Sequence, residues 1–138
     1  MTKRFKNSLG VVLLLLSLFV HAQKATPPLD IPLLLSGNFG ELRGSHFHAG
    51  LDIKTQGRQG FHVKSILAGS IRRIRVTVTG YGKALYIDHA DGTTSVYAHL
   101  QKFAPKIEQI IKERQYKKEK FLIQSYFKTN ELTVEQGE

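Results

Sequence analysis

The sequence predicts a mainly β protein of antiparallel sheets, with one surface helix inserted at about residues 105–120. Three observations predict it. Residues 61–78 are rich in β-branched side chains, and Ile71, Ile74 and Val76 alternate imperfectly with Arg72, Arg73 and Arg75, as in a strand carrying a bulge. Two strand-like runs, ALYIDHA (84–90) and TTSVYAHL (93–100), flank Asp91-Gly92, a strong hairpin signal. Only residues 104–120 carry a helical period, with Ile107, Ile110 and Ile111 forming a narrow apolar stripe.

Taken in order, residues 23–33 read as an extended lead-in, because Pro27, Pro28 and Pro32 each disfavour helix at the residue before. Leu33-Leu34-Leu35 reads as a short buried strand, and Ser36 to Gly40 as a loop with glycines available for positive φ. Glu41 to Gly44 leads into Ser45-His46-Phe47-His48-Ala49-Gly50-Leu51-Asp52-Ile53. Residues 55–60 (TQGRQG) form a further turn, and Gly69 marks a turn between two short strands. In the hairpin, a two-residue loop at Asp91-Gly92 sets Ala90 opposite Thr93. Leu85, Ile87, Val96 and Ala98 then share the core face, and Tyr86, Asp88, Tyr97 and His99 the other. Pro105 suits the first turn of the helix, and Glu108–Lys112 and Glu113–Lys117 are favourable i,i+4 pairs. Residues 121–127 return to strand character, and Leu132-Thr133-Val134 begins another strand.

The length of 138 residues suits one domain. Residues 1–22 read as a signal peptide: Lys3, Arg4 and Lys6 are the basic region, Val11–Val20 the apolar core, and Val20-His21-Ala22 the cleavage site. That apolar core is too short to span a bilayer, so no transmembrane segment is expected in residues 23–138. The full chain carries 20 Lys and Arg against 11 Asp and Glu; without the three basic residues of the leader the balance is 17 to 11, a net charge of +6. The excess favours an anionic surface such as cell-wall polymer or lipid headgroups, or simply resides on the solvated helix. With no cysteine, the fold rests on its apolar core. Nucleic acid is not an expected partner, because the aromatic residues are not interleaved with the basic ones.

His46 and His48 form an H-x-H pair, and Asp52 follows four residues after His48. On a straight strand His48 and Asp52 would lie roughly 13 Å apart at about 3.3 Å per residue. A zinc ion binds its ligands at about 2.0–2.2 Å, so both reach one metal only if the chain bends between them, and Gly50 is placed for that bend. The same spacing also describes a hydrogen-bonded polar turn. His62 and His89 are isolated and read as structural or surface residues, His89 beside a turn where its ring is easily solvated.

His48-Ala49-Gly50-Leu51-Asp52, written H-x-G-x-D, resembles the first metal motif of the lysostaphin-type zinc endopeptidases, peptidase family M23. Gly37-Asn38-Phe39-Gly40 before it, and Gly82 to His89 and Val96-Tyr97-Ala98-His99-Leu100 after it, are similar in order and spacing. The resemblance covers residues 30–103 of a partial domain at 23–138. The helix, with the insertion taken as 104–120, looks like one found in a Gram-negative envelope subgroup. The resemblance implies the duplicated-hybrid-motif fold of M23 peptidases, zinc as cofactor, His48 and Asp52 as metal ligands and His99 as an assisting catalytic residue. His46 and Tyr97 are then neighbours of the site. It further implies export to the periplasm or cell envelope and hydrolysis of peptide cross-links in peptidoglycan.

The family pattern has a later H-x-H element that supplies a third ligand and a second catalytic histidine, and no histidine follows His99. The resemblance therefore implies a C-terminally incomplete domain, truncated before that element and lacking full activity as it stands. A competing reading is a non-catalytic envelope module of the same fold, which binds peptidoglycan or activates a partner hydrolase. A third, a phosphocarrier domain of related fold, conflicts with the export leader.

Overall fold

The computed structural model of the chain describes residues 24–138, so the expected leader at 1–22 lies outside the described residues. Strands β1 (Leu35–Gly37), β2 (Asp52–Ile53), β3 (Gly69–Val76), β4 (Lys83–His89) and β5 (Thr94–Leu100) precede helix α1 (Pro105–Lys118). Strands β6 (Ile123–Tyr126) and β7 (Thr133–Val134) follow it. Every pairing is antiparallel. β1 and β2 make a small separate sheet; the larger one runs β5-β4-β3-β6, with β7 also on β3. β3 accepts two partners on its second edge because it is long: β6 takes residues 73–76 and β7 takes 69–70. The expected bulge in β3 is present between Ile71 and Arg73. Gly69 opens β3 instead of separating two strands.

The core lies on one face of the large sheet. Ile71, Ile74 and Val76 of β3, Ile87 of β4 and Ile123 of β6 pack with Phe103, Leu132 and the helical Ile107 and Ile111. Ile107 and Ile111 are one helical turn apart, which is why a narrow stripe suffices to seat α1. The helix closes at Glu119, whose φ of 51° turns its N–H back onto the carbonyls of Gln115 and Tyr116. The expected i,i+4 ion pairs do not form. Glu108 turns to β4 instead, receiving Lys83 Nζ at 2.7 and 3.0 Å and the Phe103 N–H at 2.9 Å. Glu113 accepts a hydrogen bond from Gln109 at 3.0 Å. Burial alone would raise the Glu108 pKa, but Lys83 and the Phe103 N–H together hold it below the usual value. Its contribution to stability is therefore present at neutral pH and is lost as the pH falls through that lowered value.

Further expectations are corrected. Leu33, Leu34 and Leu35 are exposed, and among the described residues β1 has only the two-residue β2 as a strand partner. The hairpin register also differs by one residue. The pairs are Ile87↔Ser95, Tyr86↔Val96 and Leu85↔Tyr97. The cause lies in the turn. Asp91 accepts hydrogen bonds from the Thr93 N–H (2.9 Å) and Oγ1 (2.7 Å), and Gly92 takes a φ of 83°. The loop thereby holds three residues, with His89 opposite Thr93 through a 2.9 Å hydrogen bond. A one-residue slip exchanges the faces. Tyr97 joins Leu85 against the core, and its hydroxyl accepts the Ile66 N–H at 2.8 Å. Val96 is 46 % exposed.

His89 is buried, not solvated. Its ring nitrogens lie 2.9 Å from the Ala68 carbonyl and 2.8 Å from Ser95 Oγ, so the ring ties the start of β3 to the end of β4. Gly69 sits against it. A Cβ there would stand 2.5 Å from the Asp88 carbonyl oxygen, 2.7 Å from Ile87 Cγ2 and 2.8 Å from His89 Nδ1. Backbone cannot yield as a flexible side-chain tip can, so Gly69→Ala is expected to lower stability by roughly 1–3 kcal/mol. Urea unfolding of the variant checks it, and an unchanged midpoint would contradict the packing described.

Candidate metal centre

The segment 37–53 folds back on itself through a short antiparallel crossing. The Gly40 N–H reaches the His48 carbonyl, the His48 N–H the Glu41 carbonyl and the Arg43 N–H the His46 carbonyl, each at 2.8 Å, with Leu42 bridged to Phe47. Gly40 has a φ of 76°, a conformation glycine adopts without a Cβ penalty. The fold-back sets the His48 ring against the Asn38 backbone, with Nδ1 3.0 Å from the carbonyl oxygen. The carbonyl only accepts and favours a proton on Nδ1, with the lone pair on Nε2; Arg43 Nη2, which only donates, lies farther from the same Nδ1, at 3.5 Å.

Asp52 begins β2, where it pairs with Gly37 of β1. The chain bends at Gly50, as the metal reading requires, and the Asp52 Oδ1 stands 3.3 Å from His48 Nε2. Gly50 does not need a positive φ for this; a Cβ there would lie 3.9 Å from His48 Nε2. The other Asp52 oxygen, Oδ2, accepts a hydrogen bond from Arg43 Nη2 at 2.8 Å, and Arg43 also reaches Glu41 Oε2 at 3.2 Å. Arg43's hydrogen bond holds the Asp52 carboxyl below the usual carboxylate range despite the opposing effect of burial, and the charges of His48, Arg43 and His99 add to the pull.

His99 occupies a bulge near the end of β5, where the register shifts between Lys83 and Leu85 of β4. Its φ of 57° is in the left-handed region, held by its N–H on the Tyr81 carbonyl at 3.0 Å, and its ring meets Tyr81 edge-on at 6.4 Å. The side chain is exposed. Tyr97 does not share this position, since its hydroxyl is engaged by Ile66 and Ser95 below the sheet. His46 is exposed, with its Nδ1 3.3 Å from Ser45 Oγ, and the H-x-H pair does not converge because residues 44–46 bend instead of forming a strand.

His48 and Asp52 fit a metal on their chemistry. Asp52 Oδ1 and His48 Nε2 stand 3.3 Å apart: with Nε2 protonated this is an imidazole–carboxylate ion pair, and with the proton on Nδ1 the two atoms offer lone pairs that one cation can take together. Two ligand atoms of a tetrahedral zinc, each bonded at about 2.0–2.1 Å, stand about 3.3–3.4 Å apart. Among the described residues, no third His, Cys, Asp or Glu completes a group of three. Spacing alone did not single out Arg43 or Gly37; the only sequence signal was the Gly44-Ser45 turn, which folds Arg43 back over the motif.

A family model described as Peptidase family M23 matches residues 46–116, more than half of the chain. The chain belongs to peptidase family M23. No curated protein and no solved structure matched it. The M23 match begins at His46, runs through β2 to β5 and ends inside α1, so it contains His48, Asp52 and His99. The family implies peptidase activity, and its members are generally zinc metallopeptidases. A concavity of about 780 Å³ lies elsewhere, between Gly69, Arg72, His89, Phe127, Asn130 and Val134. It contains none of the metal-motif residues; the site of an M23 chain is better located by converging donors than by void volume. Among the described residues, no helix is long and apolar enough to cross a membrane.

Proposed function

We propose that this M23 chain is an exported zinc-dependent endopeptidase module directed at the peptide cross-links of cell-wall peptidoglycan. His48 Nε2 and Asp52 Oδ1 hold the metal in this reading. The observation that carries it is the convergence of the two side chains at 3.3 Å within the family match. Bound zinc would supply Lewis-acid polarisation of a scissile carbonyl and an activated water. The remaining chemistry belongs to the chain. Asn38 fixes the His48 tautomer through its carbonyl, Arg43 engages the far oxygen of Asp52, and His99, on its exposed bulge, orients a water or donates to a developing oxyanion.

A catalytic zinc normally has three protein ligands and an open position. The described residues offer two, which favours a second reading: an envelope module of the same fold that binds peptidoglycan peptides without turnover. Incubation of the chain with purified cross-linked muropeptides, with zinc or with chelator, separates the two. The metal reading expects retention of the peptides that is lost on chelation, with turnover far below that of a three-ligand site. Retention indifferent to chelator would favour the non-catalytic module, and neither retention nor cleavage would contradict both.

A further inference from the structure

We infer that Arg43 is a positioning residue that pins the second oxygen of Asp52, so that the carboxylate offers only Oδ1 toward His48, and that Gly37 exists to leave room for this clamp. The inference rests on the metal reading above and adds to it two residues that the H-x-G-x-D motif does not contain. Arg43 Nη2 donates to Asp52 Oδ2 at 2.8 Å, while Oδ1 faces His48 Nε2 at 3.3 Å, so the two oxygens have separate tasks. A carboxylate free to rotate could turn either oxygen, or both, to a cation. Held by one charge-assisted hydrogen bond, it presents one. The same Nη2 also donates to Glu41 Oε2 at 3.2 Å, and that oxygen is itself fixed by the Asn38 N–H at 3.1 Å. Asn38 also supplies the carbonyl that orients His48, so one short loop sets the direction of both donors.

Two features bear on this arrangement. Arg43 Nε is buried without a hydrogen-bond partner, a position that costs stability. At Gly37, a Cβ would stand 2.3 Å from Arg43 Nη2 and 2.6 Å from Asp52 Oδ2. Gly37 is buried and has no positive φ, so its backbone does not demand glycine; what a Cβ would meet is the tips of Arg43 and Asp52, which would have to move. Any side chain at 37 would displace the guanidinium, the carboxylate or both.

Charge and geometry make opposite predictions, which makes the test sharp. Arg43 is a cation beside a cation site, so its removal on charge alone would tighten zinc binding. Removal of a partner that orients a ligand instead weakens metal binding, typically by about 10–100-fold. The experiment is zinc affinity of the full chain by competition with a chromophoric chelator, alongside thermal unfolding in chelator to follow the metal-free fold. Arg43→Met should weaken zinc binding by about 10–100-fold. Arg43→Lys, which keeps the charge and a donor, should recover part of the loss, and Gly37→Ala, which keeps Arg43 itself, should weaken binding too. Equal or tighter zinc binding by Arg43→Met, with an unaltered chain that does bind zinc, would overturn the clamp alone. No zinc uptake by the unaltered chain would overturn the metal reading and the clamp with it.

Discussion

His48→Ala is expected to abolish stoichiometric zinc uptake by the chain, a loss of more than about 100-fold in affinity. The variant removes one of the two converging donors and leaves Asp52 alone, with its far oxygen already engaged by Arg43. A single carboxylate at a surface does not retain zinc against buffer, whereas His and Asp together with solvent provide a defined coordination shell. His46→Ala is the internal control. His46 is exposed and points to Ser45, so its loss should leave zinc content as it was. Zinc quantified by atomic absorption after dialysis reads both variants. If the two histidines prove equally important, the bend described between residues 44 and 50 is wrong.

The largest loss of stability is expected from Ile74→Ala, roughly 2–5 kcal/mol. Ile74 has no exposed surface and lies in β3, between Leu85 of β4 and Ser125 of β6. It belongs to the cluster that includes Ile107 and Ile111 of α1. Strands on both sides and a helix in the same cluster leave little freedom for the site to collapse into the cavity, which favours the upper part of that range. For a domain of ordinary stability, about 5–15 kcal/mol, this is a substantial fraction of the whole. Val96→Ala makes the informative contrast. Val96 is 46 % exposed, so its truncation should stay within about 0.5 kcal/mol. A reversed order of these two effects in urea unfolding would restore the two-residue hairpin register and refute the observed one.

That contrast marks how far the sequence could be read. The strand at β3, the hairpin, the single helix and the short strands after it follow from periodicity and turn residues, which act locally. So does the bend at Gly50, because a metal reading of His48 and Asp52 requires one. The register of the hairpin was not legible. Asp91-Gly92 is compatible with a two- or a three-residue loop, and the choice rests on where the Asp91 carboxylate finds donors. One residue of slip then moved Tyr97 to the core and Val96 outward. Glu108 was misread for a similar reason: a helical i,i+4 partner was available, but Lys83 offered a drier one across the sheet. At the site, His48 and Asp52 were visible as a motif, whereas Arg43 and Gly37 matter through contacts that depend on the fold-back of residues 38–48. His89 read as structural or surface, and the sequence could not choose between them because its partners, Ala68 and Ser95, come from two other segments.

The central claim is that His48 faces a metal through Nε2 while Nδ1 stays bound to the Asn38 carbonyl. Long-range proton–nitrogen NMR of the histidine rings, recorded as zinc is added to metal-free chain, observes this directly. The account predicts a His48 ring protonated at Nδ1 before addition, with a zinc-dependent shift at Nε2 and none at His46 or His62. A shift at Nδ1, a response centred on His46, or histidine spectra indifferent to zinc would contradict it.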